Sequence, residues 1–372
     1  TSVLNNRISL WCENNSKISD AQFGFSKGRS TIDASFILHS IVNRLLNENK
    51  RLYCTFVDLK QCFDSINRNG LWLKLYNMDL NGKLLRVIRN MYQAVKSCVK
   101  LCGNYSDFFY LSIGLRQGEI ISPIIFSLFV EYLEMYLQNR LDSGICLNDI
   151  CLILLLFADD MVILSLTPED LQLSLNNLSE YCVKWGLEVN VAKTKIVVFR
   201  KRGILKRNEH WVYNNELLET VDHFNYLGIT FNYTGNFKIN IETIYGKGVK
   251  AMNSLISNIN KYKTNPKISL QLVDAFVSPT ISYGCKVWGF AKENILEKLH
   301  IKCCKQILGI RQNSCNAAVY SELGRYPIHI RYIRIVKYWL RIINTDTIIL
   351  RTVINTCLND AHNGRVNWFS DV

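Results

Sequence analysis

From Leu154 to Leu164 the chain is apolar except for two adjacent carboxylates, Asp159 and Asp160. Large and β-branched residues flank the pair on both sides, which predicts two buried strands joined at a tight turn with the acids at its tip. Leu52 to Leu59 is a further strand by composition. Its period of two puts Cys54, Phe56 and Asp58 on one face, with Asp58 at the strand's end. Ser97 to Leu101 and Phe108 to Ile113 flank Gly103-Asn104 and read as a hairpin. Leu187 to Val191 and Ile196 to Phe199, either side of Lys193 and Lys195, predict another strand pair.

Helical spacing alternates with these strands. It runs from Arg7 to Glu13, from Ile32 to Asn49 with His39 half-buried, from Leu71 to Tyr76 and from Lys83 to Tyr92. Ser122-Pro123 is a start signal, Ser as N-cap and Pro at the first helical position, for a helix reaching about Asn139. Thr167-Pro168-Glu169-Asp170 repeats that signal. Leu171, Leu175, Leu178, Cys182 and Trp185 then form one apolar stripe, which Gly186 closes. Beyond Lys238 the period is helical throughout: Ile239 to Asn260, Ile268 to Val277, Asn294 to Leu308 and Ile328 to Ile343. In the last of these, Ile330, Ile333, Val336, Leu340 and Ile343 share one side and Arg331, Arg334, Lys337 and Arg341 the neighbouring arc, an apolar face with a basic flank.

Charge adds a partner to this picture. Of the formal net +13, the segment from Lys238 to Arg351 carries +12, with eighteen Lys and Arg against six Asp and Glu. A sign bias confined to one helical region points to a polyanion, with the basic flank of the last helix as a phosphate-tracking surface. Thirteen scattered cysteines without a CxxC pair predict free thiols in a reducing compartment. His300, Cys303, Cys304 and Cys315 fit no zinc spacing and are read as packed side chains. No apolar run reaches the roughly 18 residues a membrane span needs. The chain opens at Thr1 and closes just after Trp368-Phe369-Ser370, as expected of a piece of something longer.

By itself, an Asp-Asp turn is as compatible with a plain hairpin loop as with a site. Asp58 alters the balance. Three carboxylates at strand ends, Asp58, Asp159 and Asp160, together with a basic and aromatic-rich remainder, are the parts of a two-metal site for in-line phosphoryl transfer. No Ser/His/Asp or Cys/His constellation competes, and there is no P-loop.

Six blocks stand in order: Gln22-Phe23-Gly24-Phe25 with Gly28-Arg29-Ser30-Thr31; Phe56-Val57-Asp58-Leu59-Lys60-Gln61-Cys62-Phe63-Asp64; Gly114-Leu115-Arg116-Gln117-Gly118-Glu119 with Ser122-Pro123; Phe157-Ala158-Asp159-Asp160; Trp185-Gly186-Leu187 with Asn190 and Lys193-Thr194-Lys195; and Tyr226-Leu227-Gly228. Together they resemble the reverse transcriptase domain of non-LTR (LINE-like) retrotransposons, from about Ile8 to Phe231. The resemblance implies an RNA-directed DNA polymerase, a nucleotidyltransferase that adds dNTPs to a DNA 3′ end on an RNA template. It implies two Mg²⁺ ions, Mn²⁺ being possible, held by Asp58, Asp159, Asp160 and the Leu59 carbonyl. Phe63 matches the residue that excludes a ribose 2′-hydroxyl, and Gln117 lines the nucleotide pocket. Lys193 matches the general acid for the pyrophosphate leaving group, and Lys27 and Arg29 hold the triphosphate. Tyr226, Leu227 and Gly228 correspond to a primer-gripping hairpin.

The implied fold is α+β, a right-hand polymerase architecture: partial fingers over residues 1–50, a palm with an antiparallel sheet over 51–237 (finger elements at about 66–113), a helical thumb over 238–345 and, over 346–372, a C-terminal tail or the start of a missing segment. The implied partners are an RNA template, a DNA primer or nicked target DNA, and dNTPs, with no membrane, in a nuclear or cytoplasmic ribonucleoprotein. One departure stands out. Members of the family often carry Arg after Gln-Phe-Gly-Phe, where this chain has Ser26, so triphosphate anchoring by that loop is less complete here. The competing expectations are a catalytically incompetent fragment of the same fold and an RNA-binding or maturase-type protein.

Overall fold

The computed structural model of the chain describes residues 1–140, 144–147, 150–289 and 294–371. They form two compact units, one of residues 1–34, 51–198 and 203–221, the other of residues 35–50, 199–202 and those from 222 onward. The strands of the main sheet are β1 (Leu52–Val57), β2 (Leu154–Phe157), β3 (Asp160–Ser165), β4 (Lys195–Phe199), β5 (Trp211–Tyr213) and β6 (Glu216–Thr220). The helices that matter below are α1 (Ser2–Asn14), α2 (Thr31–Asn47), α3 (Arg68–Asn77), α4 (Gly82–Tyr92), α5 (Ser122–Val130), α6 (Pro168–Trp185), α7 (Lys238–Tyr262), α8 (Ile295–Ile307), α9 (Tyr332–Ile343) and α10 (Ile348–His362).

In the first unit the sheet runs β5-β6-β4-β1-β3-β2. β1 pairs antiparallel with β3, and β3 with β2, so the apolar run of the sequence becomes a hairpin at one end of the sheet, with every residue of β1 buried beside it. The expected antiparallel pairing holds through β1, β3 and β2, and one parallel pair adds to it: β6 lies parallel to β4 through Lys195↔Glu219 and Ile196↔Thr220. β5 and β6 are themselves a hairpin whose turn, Asn214-Asn215, has positive φ at both residues, as a right-twisted two-residue turn requires. The strand pair expected at Leu187 to Val191 does not form. There Val189 makes a single bridge to Leu59, and β4 spends its edges on the main sheet.

Local signals hold well in α6. Thr167 Oγ1 accepts from the Asp170 amide at 3.1 Å, Pro168 occupies the first turn, and Gly186 takes the left-handed closing conformation at φ 68°. Leu171, Leu175, Leu178 and Cys182 are all buried on one face, about 1.5–3 kcal/mol for each large side chain removed from water. The start of α5 differs from expectation. Ser122 is already helical, and its hydroxyl donates to the Arg116 carbonyl at 2.6 Å instead of capping, which ties the helix to the preceding loop.

Two buried cations knit this unit together. The Arg68 guanidinium donates to the carbonyls of Gly114 (2.9 Å), Leu111 (2.6 Å), Tyr92 (3.1 Å) and Ile113 (2.9 Å). Lys74 Nζ donates to the Phe129 carbonyl near the end of α5 and to the Tyr181 hydroxyl at 2.6 Å, with the rings of Phe129, Tyr181 and Trp185 around it at 4.0–4.7 Å. Burial pushes its pKa down to about 6. A cation walled by three ring faces at a helix C-terminus is a favourable arrangement.

Glu131, between α5 and the helix Tyr132–Gln138, is the acidic counterpart. Burial pushes its carboxyl up to about 7, although one oxygen accepts from the Ser19 amide at 2.6 Å. A raised carboxylate pKa means that the folded state holds the proton more tightly than the unfolded chain, so stability falls as pH rises from about 4.5 to about 7. Glu131→Gln should therefore melt higher than wild type at pH 8, by on the order of 1–3 kcal/mol, with the difference shrinking toward pH 5. Thermal melts of both proteins across that range check it; a pH-independent difference would refute it.

In the second unit, strands β7 (His223–Tyr226) and β8 (Ile229–Asn232) form a hairpin, followed by the helices from α7 on. α10 packs in, and Trp368 and Phe369 meet Phe36 of α2 edge to face at 5.2 and 6.3 Å. His39 of α2 is buried, accepts or donates with Asn43 at 3.1 Å, and is pushed by burial to about 4.

α9 reverses the expected face. Its buried side is Ile335, Tyr338 and Ile342, while Ile333, Val336, Leu340 and Ile343 are exposed. The helix carries two apolar stripes, and tertiary packing chose the narrower one. The cysteines also differ in one place: Cys146 and Cys151 stand directly opposite in the hairpin Ile145–Leu147/Ile150–Leu152 and are disulfide-bonded, whereas the others described are free thiols.

Candidate active site

The β2–β3 hairpin closes through Phe157↔Asp160, leaving Ala158 and Asp159 as a two-residue turn with Ala158 at φ 58°. β1 continues the geometry. Val57 pairs with Met161, so the next residue along, Asp58, falls beside Asp160. The three acids thus come from two neighbouring strands. Their mutual field is visible at Asp160, whose carboxyl rises to about 6, first from partial desolvation and then from the negative charges of Asp159 and Asp58.

What holds the turn in place is the Gln22-Phe23-Gly24 block. The Phe23 amide donates to the Leu156 carbonyl at 2.7 Å, and the Leu156 amide to Ala21 at 2.9 Å. Gln22, fully buried, accepts with Oε1 from its own Gly24 amide at 2.9 Å and from the Ala158 amide at 3.2 Å, fastening the strained turn residue directly. Gly24 lies so close that a Cβ there would sit 2.3 Å from Ala158 N. The glycine is required by close approach.

A second bracket surrounds Asp58. The turn from Asn190 to Lys193 lies against it: the Asn190 amide donates to the Asp58 carbonyl (2.8 Å) and the Asp58 amide to Thr194 Oγ1 (3.2 Å). Lys193 Nζ stands 3.9 Å from Asp58 Oδ2. The Leu59–Val189 bridge is made by the Asp58 carbonyl and the Lys60 amide, so it does not consume the Leu59 carbonyl. Cys62, one turn on, is buried, and its thiol is pushed up to about 12 by that burial and by the charge and hydrogen bond of Asp159. It is a neighbour of Asp159 that sequence reasoning missed, because a lone cysteine in a helical turn carries no signal of what faces it.

Phe63 stacks on Phe126 of α5, ring centroids 4.6 Å apart. The glycine loop crosses just beside it: the Leu115 amide donates to the Phe63 carbonyl (2.7 Å), and Gly114, at φ 79°, leaves only 2.5 Å between a hypothetical Cβ and the Asp64 carbonyl. Gln117 is exposed on this loop and donates to Asp64 Oδ2 at 2.9 Å. Phe63 and Gln117 are thereby tied to one another through the glycine loop and Asp64, as Asp58 and Lys193 are through the Asn190 turn.

Other expected positions fall elsewhere. Arg29 turns inward, donating to the carbonyls of Ser19 and Gln22 (both 2.7 Å) and to Asp20 Oδ1 (2.5 Å), so its fork braces the Gln22 segment. Lys27 is exposed, 3.7 Å from Glu13. Tyr226, Leu227 and Gly228 belong to the second unit, where the β7–β8 turn is pinned by Tyr283, whose hydroxyl donates to the Leu227 carbonyl at 2.9 Å. Arg334 donates to Ser282 Oγ at 2.5 Å, Lys337 is exposed, and Arg341 covers the Tyr338 ring at 5.1 Å; the Arg331 side chain lies outside the described residues. His300 and Cys304 approach to 4.0 Å. Among the described residues no three His, Cys, Asp or Glu side chains are gathered as a ready-made metal cage. The donor chemistry at the hairpin nonetheless suits a hard cation: all oxygen, in a cluster whose own charges raise Asp160.

The reverse transcriptase (RNA-dependent DNA polymerase) family matches residues 1–231. The chain belongs to the reverse transcriptase family. Among curated relatives, the RNA-directed DNA polymerase from mobile element jockey of Drosophila funebris is 26% identical over 314 residues, covering 81% of this chain and 33% of that protein. The Pol polyprotein from type-2 retrotransposable element R2DM of Drosophila melanogaster is 24% identical over 226 residues, 59% of this chain and 21% of its own length. The chain therefore spans about a third or less of these relatives. Among solved structures, apo telomerase from Candida tropicalis is similar over 94% of this chain and 55% of its own, at 15% identity and a TM-score of 0.49. The α+β reverse transcriptase fold and the retrotransposon kinship expected from the motifs both hold. Among the described residues no helix is long and apolar enough to cross a membrane.

Proposed function

We propose that the chain is the polymerase part of a non-LTR retroelement protein, extending a DNA 3′ end with dNTPs on an RNA template. The observation that carries this is the β1 register, which sets Asp58 beside Asp160 at the tip that also bears Asp159. Mg²⁺, with Mn²⁺ as a substitute, would be held by Asp58, Asp159, the Leu59 carbonyl and Asp160, and when bound supplies charge stabilisation to the attacking and leaving oxygens. Lys193, whose Nζ stands 3.9 Å from Asp58, would give a proton to the leaving pyrophosphate. Gln117, steadied by Asp64, lines the nucleotide site. With Arg29 engaged in its own loop, triphosphate binding falls to Lys27 and residues beyond it. Tyr226, Leu227 and Gly228 grip the primer, and the cations of α9 meet the template–primer duplex, in an intracellular ribonucleoprotein of nucleus or cytoplasm.

Phe63 excludes ribonucleotides sterically, because its ring, fixed by Phe126, leaves no room for a 2′-oxygen. Phe63→Ala should raise ribonucleotide incorporation at least tenfold relative to dNTP in single-nucleotide extension; unchanged discrimination would remove it from that role. The function itself is tested by primer extension on an RNA template with Mg²⁺, wild type against Asp159→Ala. A non-catalytic RNA-binding protein of the same fold would give no extension from either.

A further inference from the structure

One strongly exposed feature plays no part in the site above. Residues 96–110 form a hairpin of two-residue strands, Lys96–Ser97 with Phe109–Tyr110 and Lys100–Leu101 with Asn104–Tyr105, turning at Cys102-Gly103 where both φ angles are positive. Tyr105, Phe108 and Tyr110 are each about two-thirds exposed, at 64%, 69% and 68%, and Phe109 nearly half. Apolar rings displayed together on a short hairpin, with no core beneath them, mark an interaction surface.

The charges say what kind. Lys96 is paired across the strands with Tyr110 and holds its ammonium 5.0 Å from that ring; Lys100 does the same over Tyr105 at 5.2 Å. The helix leading in, α4, exposes Lys83, Arg86 and Arg89, and from residue 80 to 110 there are five cations against one acid, Asp107. Aromatic faces for bases, each beside a cation for the adjoining phosphate, are the two components of a single-strand binding platform. A second copy of this basic chain would set these five cations against more of its own sign, with Asp107 the one acid to meet them. A duplex would offer them no unstacked bases.

We infer that this hairpin is a binding platform for single-stranded RNA, separate from the carboxylate site. It rests on the polymerase reading only for the choice of RNA as the strand. Fluorescence anisotropy with a labelled 12-nucleotide oligo(U) measures it directly on the full chain. Tyr105→Ala/Tyr110→Ala should weaken binding at least tenfold, Tyr105→Phe/Tyr110→Phe should stay within twofold, and a blunt RNA–DNA hybrid should bind all three alike. Lys96→Gln/Lys100→Gln should lower the slope of log affinity against log salt by about 1.4, two single-strand phosphates' worth.

Unchanged oligo(U) binding by the alanine pair overturns the inference. So does an alanine effect matched by the phenylalanine pair, oligo(dT) binding in place of oligo(U), or self-association of the wild type that the alanine pair abolishes while RNA affinity stays. Wild type that binds oligo(U) through the tyrosines but extends no primer would sink the polymerase reading and leave this one standing.

Discussion

Asp159→Ala should abolish RNA-templated primer extension, by about a thousandfold or more, while leaving the fold at least as stable as wild type. The two halves of that result have one cause. At the tip of the β2–β3 hairpin, Asp160 is raised first by desolvation and then by the charges of Asp159 and Asp58, so the free protein carries like-charge repulsion that a bound cation would relieve. Removing Asp159 eases the repulsion, and urea unfolding should show a midpoint equal to or above wild type. On the proposed function the same change removes a carboxylate that would hold the metal, and losing about 4 kcal/mol of transition-state stabilisation is a thousandfold in rate. Asp160→Asn should be milder, because Asp160 is the outermost of the three. Single-turnover extension with saturating Mg²⁺ measures both. Equal rates for wild type and Asp159→Ala would end the catalytic reading, and a lowered urea midpoint would mean that the acid serves the fold.

Gly24→Ala should be among the most damaging single-methyl changes available in this chain. Its Cβ would lie 2.3 Å from Ala158 N and 2.8 Å from the Phe157 carbonyl carbon, and both are backbone atoms that no rotamer change can move. The turn they belong to carries Asp159 and is already at positive φ, so it can yield only by breaking the Gln22 and Phe23 hydrogen bonds. We expect a loss of at least about 3 kcal/mol in stability, or a displaced hairpin with extension lost if the core absorbs the strain. Gly28→Ala is the control. Gly28 has φ 76° but open space around its Cβ position, so it should cost only about 1 kcal/mol. Matching losses for the two substitutions would show that close approach to the hairpin is not what selects glycine at 24.

Much of the site was legible in the chain itself. The acids at a hairpin tip, Asp58 at a strand end and the capped α6 all follow from interactions between residues near in sequence: alternation, turn chemistry, a Thr-Pro start and a glycine stop. The six motif blocks carried the family. Their physical roles were less legible. Lys27 and Arg29 were expected to hold triphosphate; the buried Gln22 beside them fastens the Ala158 turn, and Arg29 braces its own loop.

What the amino-acid sequence determined alone was the local structure and which acids stand at strand ends and turn tips, because propensity, capping and period act over a few residues. What only the tertiary structure decided were choices between locally equivalent answers. α9 has two apolar stripes, and nothing within the helix says that Ile335, Tyr338 and Ile342 turn inward while Ile333 and Leu340 stay in water. Lys74 and Arg68 look like surface cations until the carbonyls and rings that receive them arrive from distant segments. Cys146 and Cys151 become a pair only through strand register. In each case the deciding partner lies outside the range over which a sequence pattern is felt, so burial and charge pairing were settled by the assembled fold.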